Sequence, residues 1–131
     1  MVKGIGIDII EIHRIEKALA RNSRFQTRLF TPGEIQDCEH KPNLAASLAA
    51  RFAAKEATFK ALGAGWELGW VSVEVVADPR GPKIRLEGRA AEKAAELGVQ
   101  VIKISLTHSR EYAAAVAVAL GAPSGQLEVK A

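Results

Sequence analysis

Residues 43–62 read NLAASLAARFAAKEATFKAL and are followed by Gly63-Ala64-Gly65. Nearly every side chain in this run is a good helix former, Asn43 is able to cap the first turn, and the glycines stop the last one. The run therefore reads as a long helix from Leu44 to Leu62. Its apolar stripe is Leu48, Phe52, Phe59 and Leu62, with Lys55 and Glu56 filling the gap. Glu56 lies four residues after Phe52 and three before Phe59, so its carboxylate emerges at the buried edge of the helix. A carboxylate in that position needs a cation. Two candidates stay open: Lys60 at i+4, or a metal ion.

Upstream, Gly4-Ile5-Gly6-Ile7-Asp8-Ile9-Ile10 alternates as a strand, with Ile5, Ile7 and Ile9 on one face and Gly6, Asp8 and Ile10 on the other. Asp8 repeats the puzzle of Glu56, a carboxylate among isoleucines, with the cap of an adjacent turn as the ordinary alternative. A helix from about Ile12 to Arg21 follows. Thr31-Pro32-Gly33-Glu34 has the form of a capping box and opens a short helix to about Glu39. Downstream, Val71 to Ala77 and Lys83 to Glu87 pair as a hairpin around Asp78-Pro79-Arg80-Gly81-Pro82. Gly88 to Leu97 reads as a helix closed by Gly98, and Val99 to Thr107 and Tyr112 to Leu120 read as strands flanking His108-Ser109-Arg110-Glu111. Strands and helices out of strict alternation predict one α+β domain over 1–121, with 122–131 as a tail.

A chain of 131 residues, 48% hydrophobic and 25% charged, is one ordinary globular domain, which excludes disordered, collagen-like and disulfide-scaffold classes. Alanine supplies 23 residues and aromatics only 5%, so each buried position removes little apolar area and an oligomer is expected. Cys38 is the single cysteine, and the N-terminus carries no signal-peptide core, which points to a reducing cytoplasm. The longest charge-free stretch, Tyr112 to Leu127, is too short to span a bilayer, so no membrane segment is expected.

The net charge of +3 and pI near 9.2 favour an anionic partner. Arg14, Lys17, Arg21, Arg24 and Arg28 follow one another at offsets of three, four, three and four, opposed only by Glu16. On one helix that is a basic stripe, and a break at Asn22-Ser23 would make it two short basic segments. It serves either as a solvated face or as a docking surface.

Two carboxylates on rigid elements without a His or Cys cluster suit Mg²⁺ better than Zn²⁺, because magnesium keeps waters and completes its shell with substrate phosphates. Arg51, Lys55, Lys60 and the Gly63-Ala64-Gly65 turn are then candidates to hold phosphates, although Gly63 is also an ordinary helix stop. His108 shares the parity of Ile102, Ile104 and Leu106 and sits where the strand turns, as either a structural residue or an anion donor and proton carrier. A noncatalytic nucleotide- or nucleic-acid-binding module is the contrasting class. It leaves Asp8 and Glu56 unexplained, and the basic segment lacks the interleaved aromatics of single-strand binders, so no nucleic acid partner is expected.

Taken together, Gly4 through Ile12 with Arg14-Ile15, Phe25 to Glu34, Arg51-Phe52-Ala53-Ala54-Lys55-Glu56-Ala57 through Lys60-Ala61-Leu62-Gly63, and Ser105-Leu106-Thr107-His108-Ser109 with Glu111-Tyr112-Ala113 resemble the bacterial holo-[acyl-carrier-protein] synthase family, from Val2 to about Leu120. The resemblance implies the 4′-phosphopantetheinyl transferase fold, with an antiparallel sheet packed against the long helix. It also implies transfer of 4′-phosphopantetheine from coenzyme A to a serine of apo acyl carrier protein, with release of adenosine 3′,5′-bisphosphate, in fatty acid biosynthesis. It further implies Mg²⁺ at Asp8 and Glu56 bridging the coenzyme A diphosphate, Lys60 as a catalytic residue, and Arg51, Lys60, Gly63, Gly65 and His108 around nucleotide and phosphates. Arg14, Lys17, Arg21, Arg24 and Arg28 match the surface that receives the acidic carrier protein. A homotrimer with active sites at subunit interfaces is implied as well. The segment Trp66-Glu67-Leu68-Gly69-Trp70 is shorter than the corresponding family turn.

Overall fold

The computed structural model describes residues 1–122, so the expected tail lies outside the described residues except for Ala122. Strands β1 (Val2–Glu11), β4 (Val99–His108) and β5 (Tyr112–Gly121) form an antiparallel sheet in the order β1-β5-β4, and β2 (Val73–Val76) pairs with β3 (Lys83–Leu86) as a separate hairpin. The helices are α1 (Ile12–Arg21), α2 (Phe25–Leu29), α3 (Pro32–Glu39), α4 (Leu44–Ala61) and α5 (Gly88–Leu97). This is the α+β architecture read from the sequence, with α4 laid across one face of the larger sheet.

Small residues set how closely α4 approaches. Ala53, Ala54, Ala57 and Ala61 of the helix are buried, as are Ala113, Ala115, Ala117 and Ala119 of β5. On β1 a Cβ at Gly4 or Gly6 would fall well inside contact distance of the Ala61 or Ala57 carbonyl, so glycine is required at both positions for this packing. The other face of the sheet is bare: Ile5, Ile7 and Ile9 of β1 are 67%, 69% and 66% exposed. The strand thus splits its faces as its alternation predicts: Ile5, Ile7 and Ile9 point away from the core, while Gly4, Gly6 and the buried Ile10 face it.

Local chemistry accounts for most of the boundaries. Asn43 accepts from the Ala46 amide at 3.0 Å to open α4, and the reciprocal capping box of Thr31 and Glu34 opens α3. Gly98, at φ 73°, closes α5 in the left-handed conformation. Of the two forms open to the basic segment, the structure has the broken one: α1 ends at Arg21, Asn22 is extended and α2 starts at Phe25. Two readings need correction. Strand β2 starts at Val73 rather than Val71, because Trp70–Ser72 form a 3₁₀ turn in which Ser72 Oγ donates to the Leu68 and Gly69 carbonyls at 2.9 and 2.6 Å. Helix α4 has two buried faces rather than one stripe: the alanines meet the sheet, and Phe52 and Phe59 pack against Trp70. No helix among the described residues is long and apolar enough to cross a membrane.

Candidate active site

The close packing of β1 on α4 brings Asp8 beside the last two turns of the helix. Lys60 Nζ donates to the Ile7 carbonyl at 2.9 Å and lies 3.5 Å from Asp8 Oδ1. Lys60 therefore turns to Asp8 and the edge strand rather than forming the i,i+4 ion pair with Glu56. Burial pushes the Asp8 carboxyl above its ordinary range, against the opposing pull of the Lys60 and Arg14 charges. Burial also raises Glu56, and the Asp8 charge raises it further while Lys60 lowers it. The Asp8 charge thus disfavours that of Glu56, and the one ammonium that lowers both sits against Asp8, which leaves a local deficit of positive charge. Ile7, Asp8, Ile9, Lys60 and Ala114 line an open cleft of about 410 Å³ at this point.

The remaining predicted residues lie elsewhere in the protomer. Arg51 and His108 line a second cleft of about 370 Å³, together with Lys41, Ser47, Thr107 and the turn residues Asp78, Gly81 and Pro82. Arg51 is nearly buried, donates to the Val75 carbonyl through Nη1 at 2.6 Å and lies 3.6 Å from Asp37 through Nη2. Arg51 and Lys60 are nine residues apart on α4, which at about 100° per residue places them on opposite sides of the helix. Gly63, at φ 67°, turns the chain out of α4, and the Gly65 amide is already held by Glu67 Oε1 at 2.9 Å. Lys55 is not near any phosphate-sized opening: it is fully buried and bonded to Glu34 at 2.7 Å. Arg14, Lys17, Arg21, Arg24 and Arg28 are all exposed, on α1 and the start and end of α2.

The profile of the 4′-phosphopantetheinyl transferase superfamily matches residues 4–117. The chain belongs to that superfamily. The match takes in β1, α4 and the β4–β5 turn, and so every predicted site residue of this phosphopantetheinyl transferase domain. Among curated relatives, the holo-[acyl-carrier-protein] synthase of Moorella thermoacetica is 50% identical over 117 residues, covering 86% of this chain and 90% of that protein. The crystal structure of a holo-ACP synthase from Plasmodium yoelii superposes with a TM-score of 0.83 at 32% identity, over 94% of this chain and 98% of that one. The Helicobacter pylori holo-[acyl-carrier-protein] synthase in complex with coenzyme A superposes with a TM-score of 0.77 at 37% identity, over 88% and 99%.

Two features of the transferase fold are not legible as motifs. Glu34 is read from the sequence only as a cap residue, yet it is the buried partner of Lys55. Their separation of 21 positions leaves no local signal. Lys41 joins Arg51 and His108 in the second cleft from the turn after α3, where its amide donates to the Cys38 carbonyl.

Proposed function

We propose that this chain transfers 4′-phosphopantetheine from coenzyme A to a serine of apo acyl carrier protein, releasing adenosine 3′,5′-bisphosphate. The observation that carries the reading is the Asp8–Glu56–Lys60 cluster within a domain of the superfamily whose relatives bear this activity in their names. The donor set fits Mg²⁺: two half-buried carboxylates, hard oxygen donors whose charge burial disfavours until a cation offsets it. Held by Asp8 and Glu56, the ion supplies charge neutralisation at the diphosphate of coenzyme A.

The chain's own residues do the rest. Lys60, pinned by the Ile7 carbonyl, presents an ammonium beside Asp8, where it offsets charge building on the departing bisphosphate. Arg51, Lys41 and His108 offer a cationic cleft for the phosphates and nucleotide. Arg14, Lys17 and Arg21 on α1, with Arg24 and Arg28 on the next segment, face solvent as a basic surface suited to an acidic carrier protein.

The proposal includes a homotrimer with active sites at subunit interfaces. Two observations support it: the bare isoleucine face of β1, and the placement of the Asp8 and His108 clefts on different sides of one protomer. It also includes a cytoplasmic place in fatty acid biosynthesis, in keeping with a single buried free cysteine. Incubating apo acyl carrier protein with coenzyme A, Mg²⁺ and this protein should add the mass of phosphopantetheine to the carrier. No mass gain would overturn the reading.

A further inference from the structure

Lys55 precedes Glu56 in sequence and points away from the cleft into the core. Its ammonium is fully buried and its three protons are all placed: on Glu34 Oε1 at 2.7 Å, the Trp70 carbonyl at 3.0 Å and the Val73 carbonyl at 2.6 Å. Glu34 is equally buried, with Oε1 also accepting from the Thr31 amide at 3.0 Å and Oε2 from the Val75 amide at 2.9 Å. Among the described residues no buried side-chain polar atom is left without a partner. Desolvation of two charges consumes most of what their attraction returns, so such a pair is a weak source of stability and a strong source of fixed geometry.

What the pair fixes is Trp70. Its carbonyl is held on Lys55, and its ring is stacked on Phe52 at 5.1 Å and 22° and set edge-on to Phe59 at 5.3 Å and 67°. Phe52 lies one turn before Glu56 and Phe59 three residues after it, so the three rings form a wall along the side of α4 from which the Glu56 carboxylate emerges. Sequence reading places Lys55 among the phosphate-binding cations; the structure leaves it no free proton for an anion.

We propose that the Glu34–Lys55 pair positions Glu56: by pinning the Trp70 carbonyl it holds the Phe52–Trp70–Phe59 wall against α4, and the wall holds the Glu56 carboxylate toward Asp8. Glu34 and Lys55 are positioning residues, and the inference rests on Glu56 being part of the transfer site. Loss of the pair loosens the wall, so the carboxylate samples directions that do not serve the reaction while the Lys41, Arg51 and His108 cleft still binds coenzyme A.

The test uses Glu34→Gln with Lys55→Met, which removes both buried charges together. A Trp66→Phe background leaves Trp70 as the sole tryptophan. Transfer kinetics are measured well below the melting temperature with saturating Mg²⁺. The expected result is a kcat lower by about tenfold or more, a KM for coenzyme A changed by less than about twofold, and a red-shifted Trp70 emission. An unchanged kcat, or a loss of kcat without an emission shift, overturns the proposal. Trp70→Leu, which keeps the ion pair and its backbone acceptors, provides a second route and should show the same split between kcat and KM; full kcat in that variant also overturns it. Glu56→Gln separates the two failures. If Glu56→Gln stays active, the site reading falls and the positioning role with it; if Glu56→Gln is inactive while the other variants are fully active, only the positioning role falls.

Discussion

Gly6 shows how a single missing Cβ places a functional group. The Ala57 carbonyl occupies the space a side chain would need, and Asp8 reaches Lys60 because the strand lies this close to α4. Gly6→Ala should therefore force the helix off the strand, cost about 3 kcal/mol or more as overpacking against backbone, and lower the thermal midpoint in a calorimetric scan. A variant with wild-type stability would show that the approach is softer than the packing implies. Glu56 carries the electrostatic consequence. Its carboxyl sits above its ordinary value of 4.5, first through burial and then through the Asp8 charge, so the folded protein holds that proton more tightly than the unfolded chain does. The stabilisation linked to this proton is complete below about pH 4.5 and is lost as pH rises through the folded value. Metal-free Glu56→Gln should accordingly melt higher than metal-free wild type above that window, and the gap should close on acidification. A gap independent of pH would mean that the carboxyl is not perturbed.

At the scale of elements, what could be read in advance was whatever is written locally. The capping box of α3, the Asn43 cap of α4, the left-handed Gly98 and the alternation of β1 each depend on residues within a turn or two, and each stands where the sequence puts it. Helix α2 has no signal in the sequence because five residues carry no period. The start of β2 departs from the alternation because Ser72 uses its hydroxyl to hold a 3₁₀ turn. Lys55 reads as a phosphate-binding lysine because a buried lysine looks the same in sequence until its partner carboxylate on another helix is known. Asp8, Glu56 and Lys60 were legible as a group because charged residues in apolar surroundings need one another; the separation of Arg51 and His108 from them is tertiary and was not. The break between α1 and α2 leaves Arg14, Lys17 and Arg21 on one helix and turns Arg24 and Arg28 onto the next segment, all facing solvent. Exposed charges act over about 8 to 10 Å at physiological salt, so Lys17→Glu with Arg21→Glu, which keep the Arg14 charge beside Asp8, should raise KM for acyl carrier protein while leaving coenzyme A affinity and the melting curve unchanged. Added salt should raise KM more in the wild type than in the double variant; equal responses would move the docking surface elsewhere.

For the whole molecule, the bare isoleucine face and the two clefts belong to one problem. A protomer that exposes Ile5, Ile7 and Ile9 side by side has an apolar surface that water does not favour, and a protomer that keeps Asp8 and His108 in different clefts has divided its charged groups between two sides. The proposed symmetric trimer would cover the first and let neighbouring subunits combine the second. Mixing Asp8→Ala with His108→Ala at limiting coenzyme A, under conditions that exchange subunits, should give more activity than the sum of the two variants alone, since some interfaces then carry an intact residue from each neighbour. No recovery would confine the site to one protomer. The central claim is that phosphopantetheine transfer depends on a cation held by Asp8 and Glu56, and intact-mass spectrometry of the carrier protein tests it most directly. With coenzyme A and Mg²⁺, wild-type protein should convert the apo carrier completely. Asp8→Ala, Glu56→Ala and the chelator-treated wild type should each be slower by orders of magnitude, and Mg²⁺ should restore only the last. Full conversion by either variant, or by wild type in excess chelator, would contradict the account.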